Sequence, residues 1–228
     1  MLLSERDNHM NQKFSNIRTI IFDLDGTLLD TLTDLANSVN EALAMHGLPQ
    51  HTLSEVRQFV GNGIAKLAER AVMNGKSNPL YEAVLADTKA LYAQKCRENT
   101  APYAGILPLL HDLREKGYTL AVVSNKPDAQ VKKLCEDFFP GLIAESVGQQ
   151  DGVLLKPAPD SLLRVMSHLH SSPEKTVYVG DSDVDIQTAV NAGVSCISVL
   201  WGFRDYDVLK AAGGNCFVHI PSEMSTLF

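Results

Sequence analysis

The residues able to do chemistry fall into two acidic clusters and one lysine. Residues 20–27 read IIFDLDGT, an apolar run that stops at Asp23 and Asp25 and continues with glycine and threonine. Residues i and i+2 of an extended chain project to the same side, so both carboxylates can face one site. Asp-Gly between hydrophobic residues is also a common turn signal, so this pair by itself leaves both readings open. The second cluster is GDSDVDIQTAVNAG at 180–193. It reads either as an acid-rich first helical turn, where the helix dipole favours negative charge and Asp or Ser caps free amides, or as part of a site. Asp181 and Asp185 share one face if a helix begins there, which turns Asp183 elsewhere and leaves it a structural role.

Carboxylates gathered in a low-dielectric site repel one another unless something positive sits among them. No thiolate or imidazole lies in these motifs, so the available ligands are hard oxygens. That donor set suits magnesium, which keeps several waters and takes one or two carboxylates together with a substrate phosphate. A calcium loop fits less well, because the acidic ladder ending in glutamate is missing. Lys156, in LLKPAPD, precedes a proline-rich turn into a helix. Most lysines in such places are simply solvated, but in a phosphoryl-binding site a lysine supplies a point charge. Ser124 and Asn125 can donate hydrogen bonds to the same oxygens.

The elements that must position these groups are strands rich in β-branched residues. IRTIIFD (17–23), YTLAVVS (118–124), TVYVGD (176–181) and VSCISVL (194–200) are continuously apolar, as expected of strands buried on both faces of a parallel sheet. Helical patterns lie between them: Leu109, Leu110 and Leu113; Val131, Leu134 and Cys135; Leu162, Met166 and Leu169; Ile186, Ala189 and Val190. This alternation predicts an α/β fold with a doubly wound parallel sheet, a Rossmann-like core. In such sheets ligands bind at the carboxyl ends of the strands, and three of these strands end there on Asp23, Ser124 and Asp181. Residues 32–100 break the alternation with helical stripes and no convincing strand; Thr52 and Glu55 have the spacing of a capping box. The expected organisation is therefore a flexible tail over 1–16, a core over 17–31 and 101–228, and an inserted all-helical unit over 32–100.

Composition narrows the function classes. The chain has 228 residues, 45% of them hydrophobic and 21% charged, close to ordinary globular proteins. A net charge of -7 argues against a nucleic-acid partner, which needs clustered Lys and Arg. No run approaches a membrane span and the first residues lack a signal-peptide pattern, so no membrane partner and a cytoplasmic location are expected. The 4 cysteines are widely spread, in keeping with a reducing compartment, and the histidines have no metal-binding spacing. The chain contains no phosphate-binding Gly-x-x-x-x-Gly-Lys loop, dinucleotide fingerprint or Gly-x-Ser-x-Gly elbow.

Taken in order, DLDGT (23–27), VVSNKP (122–127), Lys156 and GDSDVD (180–185) resemble the four motifs of the haloacid dehalogenase-like superfamily of phosphohydrolases, over about residues 17–220. Within it, GTLLDTLTDLA (26–36), VRQFVGNGIAKLAERAV (56–72) and SNKPDAQV are similar to segments of the phosphoglycolate phosphatases. The chain departs from that family at Val184, where asparagine is usual, and in a compact KPAPD turn.

The resemblance implies that Asp23 attacks phosphorus to give an aspartyl-phosphate and that Asp25 acts as general acid and then general base. It implies magnesium held by Asp23, the backbone carbonyl of Asp25 and Asp181 with Asp185 behind, and phosphoryl oxygens positioned by Ser124, Asn125 and Lys156. The helical insert becomes a cap over the sheet edge, with Gly61, Asn62 and Gly63 as its candidate contact to a small phosphorylated metabolite. The resulting expectation is a magnesium-dependent phosphomonoester hydrolase acting on 2-phosphoglycolate. A pyrophosphatase or sugar phosphomutase of the same fold and a non-catalytic module binding a phosphorylated metabolite are the alternatives, and the oligomeric state is left open.

Overall fold

The computed structural model describes residues 14–228. The expected tail over 1–16 falls mostly outside the described residues. At its end, however, Phe14 is fully buried and packs against Phe228, so the packed core begins before residue 17.

Among the described residues the main sheet has 6 strands in the order β5-β4-β1-β6-β7-β8, every neighbouring pair parallel. They are β1 (Thr19–Phe22), β4 (Thr119–Pro127), β5 (Glu145–Gln149), β6 (Thr176–Gly180), β7 (Ser195–Val199) and β8 (Phe217–Val218). Alternate residues of the central strands feed two separate cores. Ile20, Phe22, Leu120, Val122, Val177 and Val179 pack on one face, and Ile21, Ala121, Val123 and Tyr178 on the other. The first face is covered by helices α5 (Ile106–Glu115) and α6 (Asp128–Phe138), through Leu109, Leu110, Leu113, Val131 and Leu134. The second is covered by α7 (Asp160–His168) and α8 (Asp183–Ala192), through Leu162, Val165, Met166 and Ala189. Burial on both faces is why these strands read as unbroken apolar runs. Val190, counted in the helical stripe of α8, is 65% exposed and lies outside that core.

Residues 32–95 are helical, with no strand among them: α1 (Leu32–Met45), α2 (Leu53–Phe59), α3 (Ile64–Ala71) and α4 (Tyr81–Lys95). They share their own core of Leu35, Val39, Leu43, Val56, Leu67, Val84 and Tyr92, joined by Phe203 from the loop after β7. The capping box at Thr52 and Glu55 forms, each residue bonding the other's backbone amide. This helical insert leaves and rejoins the sheet through a two-stranded antiparallel ribbon, β2 (Leu29–Asp30) with β3 (Ala101–Pro102). A clasp lies beside the ribbon. Buried Asp34, in the first turn of α1, accepts hydrogen bonds from Asn99 N, Asn99 Nδ2, Thr100 N and Thr100 Oγ1 at 2.8–3.1 Å. Among the described residues no helix is long and apolar enough to cross a membrane.

Candidate active site

The parallel register brings the acids together. Phe22 lies opposite Val122 on one side and Val179 on the other, so the residues that follow on each strand emerge at one edge of the sheet. Asp23, Asp25, Ser124 and Asp181 all line one cavity of about 50 Å³ there, which Gly61, Gly63, Ile64, Leu67 and Tyr92 of the helical insert cover. By that measure a water needs about 10–15 Å³, so the cavity suits a small ligand.

Asp23 follows the last residue of β1, and Asp25 stands in the turn beyond, bridged to Leu29. Gly26 has a φ of 84°, which a side chain rarely adopts, and a Cβ there would run into the carboxylate of Asp181 and the ring of Phe203. The sharp turn after the acids therefore requires glycine. Asp181 lies before helix α8, which Ser182 caps, so it does not share a helical face with Asp185 as the spacing suggested. Its carboxylate is held instead by Phe203 N at 2.7 Å and Thr27 Oγ1 at 3.2 Å. Asp185 is fully buried: Oδ2 receives Ser182 N and Ser182 Oγ, and Oδ1 receives Lys156 Nζ at 2.7 Å.

Lys156 is the positive centre of the cluster. Its ammonium donates to Asp185 Oδ1, to Asp23 Oδ1 at 2.9 Å and to Tyr178 Oη at 2.9 Å. Burial on its own would lower the Lys156 pKa, but the Asp185 and Asp23 carboxylates outweigh it and hold the ammonium well above its ordinary value. The acids remain short of positive charge. Burial pushes Asp23 up to about 7 against the pull of Lys156, with Asp185 adding to the rise. Burial likewise pushes Asp181 up to about 8, reinforced by Asp185 and Asp23. Asp23, Asp181 and Asp185 each offer an oxygen within 4.8 Å of the others, a donor set of hard oxygens that could hold a metal ion.

The remaining expected residues divide. Ser124 lines the cavity and accepts a bond from Lys126 N. Asn125 also lines it, but its amide is tied elsewhere. Asn125 Oδ1 accepts from Lys156 N at 2.8 Å, and Nδ2 donates to Lys156 O and across to Gly61 O. Lys156 and Asp185 stand behind the cavity wall. Asn62 does not line the cavity; its side chain accepts from Arg70. Asp183 is half exposed and faces Arg204 at 3.5 Å.

Several side chains at the site went unread in the sequence. Lys126, 2% exposed at its side chain, donates to Asp25 Oδ1 at 2.6 Å and to Tyr92 Oη of α4. Alternation along the strand did not point to it, because the pairing of β4 with β5 shifts register between Val123 and Pro127, and Ser124, Asn125 and Lys126 all line the cavity. Arg204 and Arg57 form an exchange between sheet and insert. Arg204 donates to the carbonyls of Arg57 and Val60 at the end of α2, while Arg57 donates to Gly202 O and Asp205. Tyr92, Tyr178 and Phe203 come from distant segments and carry no local signal.

Residues 20–199 match the profile of the haloacid dehalogenase-like hydrolases. The chain is a haloacid dehalogenase-like hydrolase. A phosphoglycolate phosphatase of Pseudomonas putida is 36% identical over 197 residues, spanning 82% of this chain and 71% of that protein. One from Aquifex aeolicus is 34% identical over 188 residues, spanning 82% and 86%. The crystal structure of a candidate phosphoglycolate phosphatase from Lactobacillus delbrueckii subsp. bulgaricus superposes with a TM-score of 0.87 at 34% identity, covering 91% of this hydrolase and 96% of that chain.

Proposed function

We propose that the hydrolase is a magnesium-dependent phosphatase that cleaves 2-phosphoglycolate to glycolate and phosphate through an aspartyl-phosphate on Asp23. The observation that carries this reading is that one buried ammonium, Lys156, fixes Asp23 while a second acid, Asp25, faces the same small cavity. Asp23 Oδ1 is taken by Lys156 and Leu24 N, which leaves Oδ2 to attack phosphorus. The bond from phosphorus to the alcohol oxygen breaks, and Asp25 gives that oxygen a proton. Asp25 then takes a proton from the water that attacks the aspartyl-phosphate, phosphate leaves, and both acids return to their starting states.

Three acids around one ammonium favour a divalent cation, and the raised pKa values of Asp23 and Asp181 mark the same deficit. Magnesium would be held by Asp23, Asp181 and the backbone carbonyl of Asp25, with Asp185 behind, engaged by Lys156 and Ser182. Bound there, it neutralises the nucleophile and the phosphate so that they can approach. Ser124 hydrogen-bonds the phosphoryl oxygens, and Asn125 sets the loop that carries Lys156. The helical insert acts as a cap that excludes water and reaches the ligand through Gly61 and Gly63.

The choice of substrate is supported by the names of the relatives. The test is phosphate release by the purified protein on 2-phosphoglycolate, pyrophosphate and hexose phosphates, with and without magnesium. The expected outcome is metal-dependent release with 2-phosphoglycolate preferred, abolished in a folded Asp23→Asn variant. Equal rates over the panel would remove the substrate, and substantial activity in D23N would remove the mechanism.

A further inference from the structure

We infer that Lys126 is the residue that selects the substrate, by pairing its ammonium with a carboxylate on the leaving alcohol; this rests on the phosphatase reading of the site. Three cationic side chains stand at or behind the cavity, and their donors are differently committed. A lysine ammonium has three donors. Those of Lys156 go to Asp23, Asp185 and Tyr178. Arg204 also lines the cavity, but its guanidinium, which carries five donors, is anchored to Arg57 O, Val60 O and Asp183 across the boundary with the insert. Lys126 lines the cavity and gives two donors to Asp25 Oδ1 and Tyr92 Oη, so its third is the one left for a ligand.

Its position fits the leaving group and not the phosphoryl group. Asp25 must touch the oxygen that departs from phosphorus, and Lys126 Nζ lies 2.6 Å from Asp25 Oδ1. In a phosphorylated hydroxyacid with its hydroxyl next to the carboxylate, that acid group begins two bonds beyond the departing oxygen. An ammonium beside Asp25 is thus within reach of it.

A second feature of the cavity adds to the attraction. Helix α3 begins there: its N-cap is Gly63, which has no side chain to satisfy the first-turn amides, and Gly63 and Ile64 both line the cavity. An uncapped helix start presents free N–H groups and positive potential. Opposite it, Tyr92 Oη keeps the Lys126 ammonium from swinging away, and the same ammonium lies 4.6 Å from the centre of the Tyr92 ring. The selecting charge is therefore carried by the sheet and oriented by the insert, so a carboxylate gains its full attraction only with the insert in place.

The experiment compares kcat/KM for 2-phosphoglycolate with that for 2-hydroxyethyl phosphate, which replaces the carboxylate by a neutral hydroxymethyl group, in the wild type and in Lys126→Met. Because loss of the contact to Asp25 slows both substrates, the ratio isolates the carboxylate. A hydrogen bond to a charged group contributes about 1.5–3 kcal/mol, so the wild-type preference is expected to fall about 10- to 150-fold in K126M. Lys126→Gln, which keeps hydrogen bonding to Asp25 and Tyr92 without the charge, gives the same comparison should K126M not fold, and Lys126→Arg is expected to restore part of the preference. An unchanged ratio in K126M or K126Q, with both rates lowered alike, overturns the inference and leaves the phosphatase reading standing. A wild type that releases phosphate from neither ester overturns that reading first.

Discussion

Asp23 and Asp181 are protonated more readily when folded than when unfolded, and that has a measurable consequence. The carboxyl of Asp23 rises from 3.8 to about 7 and that of Asp181 from 3.8 to about 8, in each case chiefly through burial. Between those values the folded chain holds protons that the unfolded chain releases. The stability that this contributes is fully present below 3.8 and is lost as the pH rises through about 7 to 8. In EDTA the melting temperature should therefore fall over that window. Magnesium, which competes with those protons for the carboxylates, should raise the melting temperature more at pH 8 than at pH 5. A magnesium shift of the same size at both pH values would contradict the assignment of Asp23 and Asp181 as ligands. At this scale the sequence was partly legible. Asp23, Ser124 and Asp181 stood out because each ends an apolar run, and the structure places all three around one cavity. Lys126 did not, because a lysine beside a strand end reads as solvated until the partner that buries it is known. That partner, Tyr92, is 34 residues away.

Among the elements, β1, β4, β6 and β7 were readable because burial on both faces leaves each with a largely apolar run. The edge strand β5, ESVGQ, is only half buried and keeps Glu145 and Gln149, so it has no such signature. β8 and the ribbon of β2 with β3 are 2 residues per strand and too short for any periodicity to register. The clasp at Asp34 is likewise a tertiary fact: an acid in a first helical turn looks like a favourable dipole partner, yet here it is buried against Asn99 and Thr100. Asp34→Ala leaves several buried donors unpaired and should cost about 2–4 kcal/mol. Urea denaturation is the measurement, with a lower midpoint and an unchanged slope expected. A midpoint within error of wild type would mean that the ribbon alone holds the junction.

Across the whole molecule, the contacts between the insert and the sheet include the ribbon with its clasp, the pairing of Lys126 with Tyr92, and the exchange between Arg57 and Arg204. The last can be probed at Arg57, which does not itself line the cavity. Arg57 is about one-third exposed and Asp205 mostly so, so their pairing is worth about 0.2–1 kcal/mol. Arg57→Ala should accordingly raise KM up to about fivefold, with kcat and the melting temperature changed little. A loss confined to kcat would point instead to disturbance of Asp181 through Gly202 and Phe203.

The ribbon has a consequence of another kind. Leu29 and Asp30 lie against Pro102 and Ala101, so the chain leaves the sheet and returns to it at adjoining points. Nothing about the helices between those points has to be communicated to the strands that carry Asp23, Ser124 and Asp181. Lengthening, shortening or exchanging that segment alters what is admitted to the cavity without shifting the register that makes the reaction possible. In this architecture whatever part of the preference the helices contribute can be inherited separately from the capacity to break the bond.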